Sequence, residues 1–92
     1  MIGLSKTKEN NVKIYKLEHG YLSQGDSPDI TELGYFTKFP TIEDILKTDA
    51  EDYATKEEFI KLLKDGVGSF TVHQTHYSIE CIQISELEII EN

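Results

Sequence analysis

The stretch VGSFTVHQTHYSIEC, residues 67–81, alternates apolar and polar side chains on either side of a short polar segment. This alternation is typical of two antiparallel strands joined by a tight turn. With a four-residue loop over residues 73–76, Phe70 lies opposite Ile79 and Gly68 lies opposite Cys81. The stretch therefore predicts one apolar face that includes Cys81 and one polar face that carries the histidines.

The same register limits the chemistry of the hairpin. It separates Cys81, which we interpret as a small core hydrophobe, from His73 and His76 at the polar tip. The H-x-x-H spacing marks a metal site only where further ligands converge, and His19 is remote in sequence. The chain contains no P-loop, G-x-G-x-x-G, G-x-S-x-G or H-E-x-x-H motif. We therefore predict no catalytic residue, no metal and no cofactor, with a small metal-binding protein or enzyme using His73 and His76 as an alternative.

Two strands are predicted ahead of the hairpin. Residues 12–22, VKIYKLEHGYL, and residues 32–39, ELGYFTKF, are rich in β-branched and aromatic residues, and Pro40 ends the second. The apolar residues of the first strand follow two alternations, which indicates a bulge or burial of both faces. The apolar phase also shifts along residues 79–89, which predicts bulges or partners on both faces there.

Two short helices are predicted between the strand pairs. Thr41 can cap the first, and Thr55 with Glu58 forms a capping box at the start of the second, over residues 56–64. Gly66 suits the left-handed position after that helix. The order β-β-α-α-β-β, with a possible extra C-terminal strand, predicts an α+β fold. In this fold a mostly antiparallel sheet carries two short helices on one face.

The length of 92 residues suits one domain, predicted over residues 12–92 after a flexible polar leader at residues 1–11. The leader, MIGLSKTKENN, lacks the apolar core of an export signal. No run approaches the roughly 18 apolar residues that a membrane span needs. A cytoplasmic protein that does not bind membranes is expected. A single cysteine excludes an internal disulfide, so packing alone must hold the domain together.

The charge of the chain is strongly negative. Seventeen acidic residues face nine lysines, arginine is absent, and the formal net charge is −8. Nucleic acids and anionic lipids are held by cationic side chains, so direct binding to either is not expected. A basic protein surface is the favoured partner, and its predicted binding site is an acidic surface formed by the segment between residues 43 and 58 together with the C-terminal segment. The carboxylates concerned are Glu43, Asp44, Asp49, Glu51, Asp52, Glu57 and Glu58.

These observations favour a small acidic, non-catalytic protein-binding module. Its most specific form is an inhibitor that occupies a nucleic-acid-binding surface of its partner. The arginine-free composition, rich in Ile, Lys, Glu and Asn, is similar to that of small phage or mobile-element proteins. Tyr35 and Phe36 are candidate aromatic anchors, one on each face of their strand. The alternative is a structural or assembly subunit, a homo-oligomer that pairs through its sheet edges.

Overall fold

The structure, a computed structural model, describes residues 11–90 as a four-stranded sheet and three short helical segments. Residues 1–10 of the predicted leader lie outside the described residues, and Asn11 is the first residue of β1. The elements are β1 (Asn11–Ser23), β2 (Asp29–Phe36), α1 (Ile42–Leu46), a 3₁₀ helix (Asp49–Asp52), α2 (Lys56–Lys64), β3 (Gly68–Gln74) and β4 (Ser78–Ile90). None of the helices within this range is long and apolar enough to cross a membrane.

The sheet is antiparallel, with strand order β2-β1-β4-β3. The predicted α+β fold, with helices packed against one face of an antiparallel sheet, is confirmed. The central strands β1 and β4 pair without interruption from Asn11↔Ile90 to Ser23↔Ser78. The possible extra C-terminal strand is therefore the far part of β4. The bulges predicted along residues 79–89 do not interrupt this register.

The strands β2 and β3 form the two edges, and each contains one irregularity. On β2 the register shifts beside Leu17 and Glu18, which leaves Leu33 as an extra residue that packs against the core. The strand ends at Phe36, three residues earlier than predicted. On β3 the register shifts between Thr71 and His73.

The predicted register of the β3–β4 hairpin is wrong. Phe70 pairs with Ile82 rather than with Ile79, and Thr71 pairs with Cys81. The turn is fixed by the Thr75 hydroxyl, which accepts hydrogen bonds from the backbone N–H groups of Tyr77 and Ser78. A shifted turn moves every side chain on one strand relative to the other. As a result, Cys81 lies on the face opposite the core, contrary to the prediction.

The helical segments begin where side chains cap them. Both α1 and α2 start with capping boxes, at Thr41 and Thr55, and Thr48 caps the 3₁₀ helix. After α2, Gly66 adopts the predicted left-handed conformation, with φ of 79°. The first predicted helix is short because the chain turns after Leu46 and continues as the 3₁₀ helix.

The core lies between the helical segments and one face of the sheet, which we call the covered face. Its buried side chains alternate along the central strands and meet those of the helices. They are Leu17, Ile45, Ala50, Ala54, Phe59, Leu62, Ile82 and Ile84. The opposite face of the sheet, which we call the open face, carries no helix from the described part of the chain.

Candidate protein-binding surfaces

The predicted acidic segment spans the three helical segments. We call its seven carboxylate residues the acidic layer: Glu43, Asp44, Asp49, Glu51, Asp52, Glu57 and Glu58. Each lies in the first turn of α1, the 3₁₀ helix or α2, where the helix dipole favours negative charge. Because the helical segments pack on the covered face of the sheet, all seven residues lie on that side of the molecule.

Two members of the acidic layer have a structural role. The Asp44 carboxylate accepts a hydrogen bond of 3.0 Å from the backbone N–H of Thr41, and Glu58 accepts one of 2.8 Å from that of Thr55. The hydrogen bond from the Thr41 backbone lowers the pKa of Asp44 below its ordinary value, because it stabilises the ionised carboxylate. These two carboxylates are occupied in starting the helices.

The other five members, Glu43, Asp49, Glu51, Asp52 and Glu57, are exposed. The ion pairs present within residues 11–90 join Lys13 to Glu86 and Lys16 to Glu18, and Glu80 hydrogen-bonds to His19, all on the sheet. None involves the acidic layer, although Lys47 and Lys56 belong to the same segment. Folding of the described residues therefore leaves five carboxylates un-neutralised on one surface.

The open face is the second candidate surface. A Cβ atom built on Gly20 would lie 3.3 Å from Ile30 Cδ1 and 3.4 Å from Cys81 Sγ, which shows that β1, β2 and β4 share this face. Side chains that alternate with the buried ones point toward it. The apolar members of the open face are Val12, Ile14, Leu22, Ile30, Tyr35, Ile79, Cys81, Leu87 and Ile89. Six of these, all except Val12, Ile14 and Cys81, are among the exposed large hydrophobic residues.

The two candidate aromatic anchors point to opposite faces, as their adjacency predicts. Tyr35 is 54% exposed on the open face, and its hydroxyl donates a 2.7 Å hydrogen bond to Glu32. This hydrogen bond to the carboxylate raises the pKa of Tyr35 above its ordinary value, because ionisation would break it. Phe36 packs against the core. Only Tyr35 is placed to meet a partner.

A histidine–carboxylate pair on the covered face was missed by the sequence reasoning. His19 is 9% exposed, and its Nε2 lies 2.7 Å from Glu80 Oε2, while its ring stacks at a tilt on Tyr53 with centroids 5.1 Å apart. The signal available in the sequence was the alternation of His19 with Tyr15 and Leu17. It placed the histidine on the covered face but could not identify its partner.

The hairpin histidines do not form a site together with His19. His73 lies in β3 opposite Glu80, and His76 lies in the exposed turn with its ring 6.3 Å from that of Tyr77. Within the described part of the chain, no group of three or more His, Cys, Asp or Glu side chains is arranged to hold a metal ion. A shallow groove beside the turn, lined by Leu22 and residues 74–79 among others, contains no buried side-chain polar atom that lacks a hydrogen-bond partner.

Comparisons with known proteins found no matching protein family, no matching curated protein and no matching solved structure.

Proposed function

We propose that the protein is a non-catalytic binding module, acting in the cytoplasm, that docks its acidic layer on a basic surface of a partner protein. One observation carries the proposal: five carboxylates of the acidic layer are exposed and have no ion partner among the described residues. No ion pair among the described residues uses them, which supports their pairing with cations of a partner.

The charge of the whole chain supports the same partner chemistry. A net charge of −8 accelerates encounter with a basic surface and opposes encounter with an acidic one. Surface charges at the rim of an interface act mainly on the association rate and on its salt dependence. Basic surfaces of this kind are the ones that nucleic-acid-binding proteins use to hold phosphates.

In its most specific form, the proposal describes an inhibitor that competes with nucleic acid for its partner. Carboxylates on three successive helical segments would occupy the positions of phosphates. The composition suits an origin in a phage or mobile element, where such inhibitors would act on a host enzyme. Solubility is a competing explanation of the charge, and it requires no particular placement of the carboxylates.

The test uses the full chain and a panel of purified nucleic-acid enzymes, including a DNA nuclease and an RNA polymerase. We expect at least one enzyme to bind with an affinity that falls as salt rises, and duplex DNA to compete. The combined variant Glu51→Lys, Asp52→Lys and Glu57→Lys should weaken binding by about tenfold or more.

A matched control variant makes the same change in net charge at three positions outside the acidic layer. Asp29, Asp65 and Glu88 are exposed and lie outside the acidic layer. Their combined replacement by Lys should change the affinity much less than the acidic-layer variant does. Affinity that does not depend on ionic strength, or equal losses in the two variants, would contradict the proposal.

A further inference from the structure

We infer that the open face is the interface between two copies of this chain, which pack sheet against sheet with their helical segments outward. This inference does not rest on the proposed function, because the acidic layer lies on the other side of the molecule. The occupant of the open face is a second copy for three reasons: the arrangement of its apolar side chains, its charge and its area.

The apolar side chains form two clusters at opposite ends of the open face. The turn-end cluster surrounds Gly20 and consists of Leu22, Ile30, Ile79 and Cys81. The ribbon-end cluster lies where β1 and β4 extend beyond the edge strands, and consists of Val12, Ile14, Leu87 and Ile89. The pairs Val12↔Ile89 and Ile14↔Leu87 stand directly opposite each other, and so does Leu22↔Ile79. Exposed apolar area of this extent marks an interaction surface.

The unbroken β1–β4 register explains why these residues face outward. A bulge would have turned the second half of β4 and sent Leu87 and Ile89 to the covered face. No such bulge interrupts the pairing, so both strands place apolar side chains on the open face toward each of their two ends. The shift in apolar phase along residues 79–89 predicted either bulges or partners on both faces of the strand. Because β4 pairs with β1 without a bulge, partners on both faces remain as the explanation.

The open face carries little charge, so charge does not oppose self-association. Its charged residues are Lys16, Glu18 and Glu32, and Lys16 Nζ lies 3.3 Å from Glu18 Oε2. This polar band separates the two apolar clusters. In a two-fold pair the band of one copy meets the same band of the other, so lysine and glutamate can pair across the interface. The acidic layers lie on the two outer surfaces, which keeps the main negative charges of the copies apart.

The area of the open face suits a stable dimer. With strands about 4.8 Å apart and a rise of ~3.3 Å per residue, the sheet has a flat footprint of roughly 650 Å². Projecting side chains raise the accessible area above this value. Standard interfaces bury about 800 Å² on each partner. Two sheets pack about 10 Å apart with interdigitated side chains, so the pair would form a second core.

Sedimentation equilibrium of the full chain tests the inference. We expect a species of twice the 10.5 kDa chain mass, with a dissociation constant that can be measured by dilution. Ile30→Lys places a charge in the open face, and Ile60→Lys places the same charge on α2. The two isoleucines are similarly exposed, at 54% and 45%. The first change should raise the dimer dissociation constant by about tenfold or more, and the second should leave it unchanged.

Thiol labelling provides a second measurement on the wild-type chain. Cys81 lies within the turn-end cluster, so its alkylation should be slow at high protein concentration and should accelerate on dilution. In Ile30→Lys it should be fast at both concentrations. If circular dichroism shows that this variant does not fold, Ile79→Lys replaces it.

Three outcomes would overturn the inference. The first is a wild-type chain that is a monomer up to millimolar concentration, which would leave the open face to a different protein or to no partner. The second is a dimer that resists both open-face variants, which would place the interface at the sheet edges. The third is labelling of Cys81 that does not depend on protein concentration.

Discussion

His19 Nε2 lies 2.7 Å from Glu80 Oε2 on the covered face, where residues 61 positions apart in the chain form a hydrogen bond between the two central strands. The histidine is nearly buried, while the glutamate side chain is 30% exposed. A buried polar group without a partner is costly, so this contact specifies which residues of β1 and β4 oppose each other.

Loss of the glutamate should destabilise the domain. We expect Glu80→Ala to lower the free energy of unfolding by about 1–3 kcal/mol, because the nearly buried His19 loses its hydrogen-bond partner. Glu88→Ala provides the matched control, since Glu88 is exposed on the same strand, and its effect should stay within about 0.5 kcal/mol. Urea unfolding monitored by circular dichroism measures both. Equal losses in the two variants would show that the contact contributes nothing.

A second prediction concerns packing between the sheet and the helices. Ile82 is fully buried, whereas Ile60 is 45% exposed on α2. Replacing either by Val removes one methylene group. Ile82→Val should cost about 0.5–1.5 kcal/mol of stability. Ile60→Val should cost at most about 0.5 kcal/mol, since the methylene it removes is largely in contact with water. A larger fall in the urea midpoint for Ile60→Val than for Ile82→Val would contradict the position of Ile82 in the core.

A third prediction concerns acid pH. The pKa of Asp44 in the folded protein lies below the ordinary value of 3.8, mainly because of the hydrogen bond from the Thr41 backbone. Ionised Asp44 therefore stabilises the folded state fully above the ordinary pKa, and this contribution disappears as pH falls through the lower, folded-state pKa. The difference in urea midpoint between wild type and Asp44→Asn should shrink from pH 6 to low pH. A difference that is constant with pH would contradict this.

The fourth prediction concerns the end of α2. Gly66 has φ of 79°, and the position where a Cβ would stand is open. Any loss in Gly66→Ala therefore comes from the backbone conformation alone. We expect about 1–2 kcal/mol, the usual cost of a left-handed conformation for a residue with a Cβ. Gly66→Asn should lose less, because asparagine tolerates this conformation better. Equal stability of Gly66→Ala and wild type would show that the helix end readjusts.

The features that could be predicted from the sequence are those determined by near neighbours. The cap at Thr41, the capping box at Thr55 and the end of α2 at Gly66 all depend on residues within four positions of one another. Local hydrogen bonds and the helix period decide them. The α+β class followed from the order of the elements.

The hairpin register and the histidine pair depend on distant residues. Alternation alone favoured Phe70 opposite Ile79, because that pairing sorts the local side chains cleanly. The pairing of β4 with β1 overrides it, since Leu17 opposite Ile84 fixes which side chains of β4 enter the core. The bulge between Thr71 and His73 then adjusts β3 to that choice. A single sequence contains no signal for a contact of this range.

The central position of β4 in the sheet has a consequence for synthesis. Because β4 lies between β1 and β3, the nascent chain cannot complete the sheet until residues 78–90 have left the ribosome. At about 5–20 residues per second, the stretch from the end of β1 to the end of β4, residues 24–90, takes roughly 3–13 s to make. Throughout that time one edge of β1 lacks its neighbour, and β3 lacks its neighbour from its own synthesis until β4 emerges. Ribosome-bound chains stalled before β4 should therefore be the form that chaperones and proteases recognise.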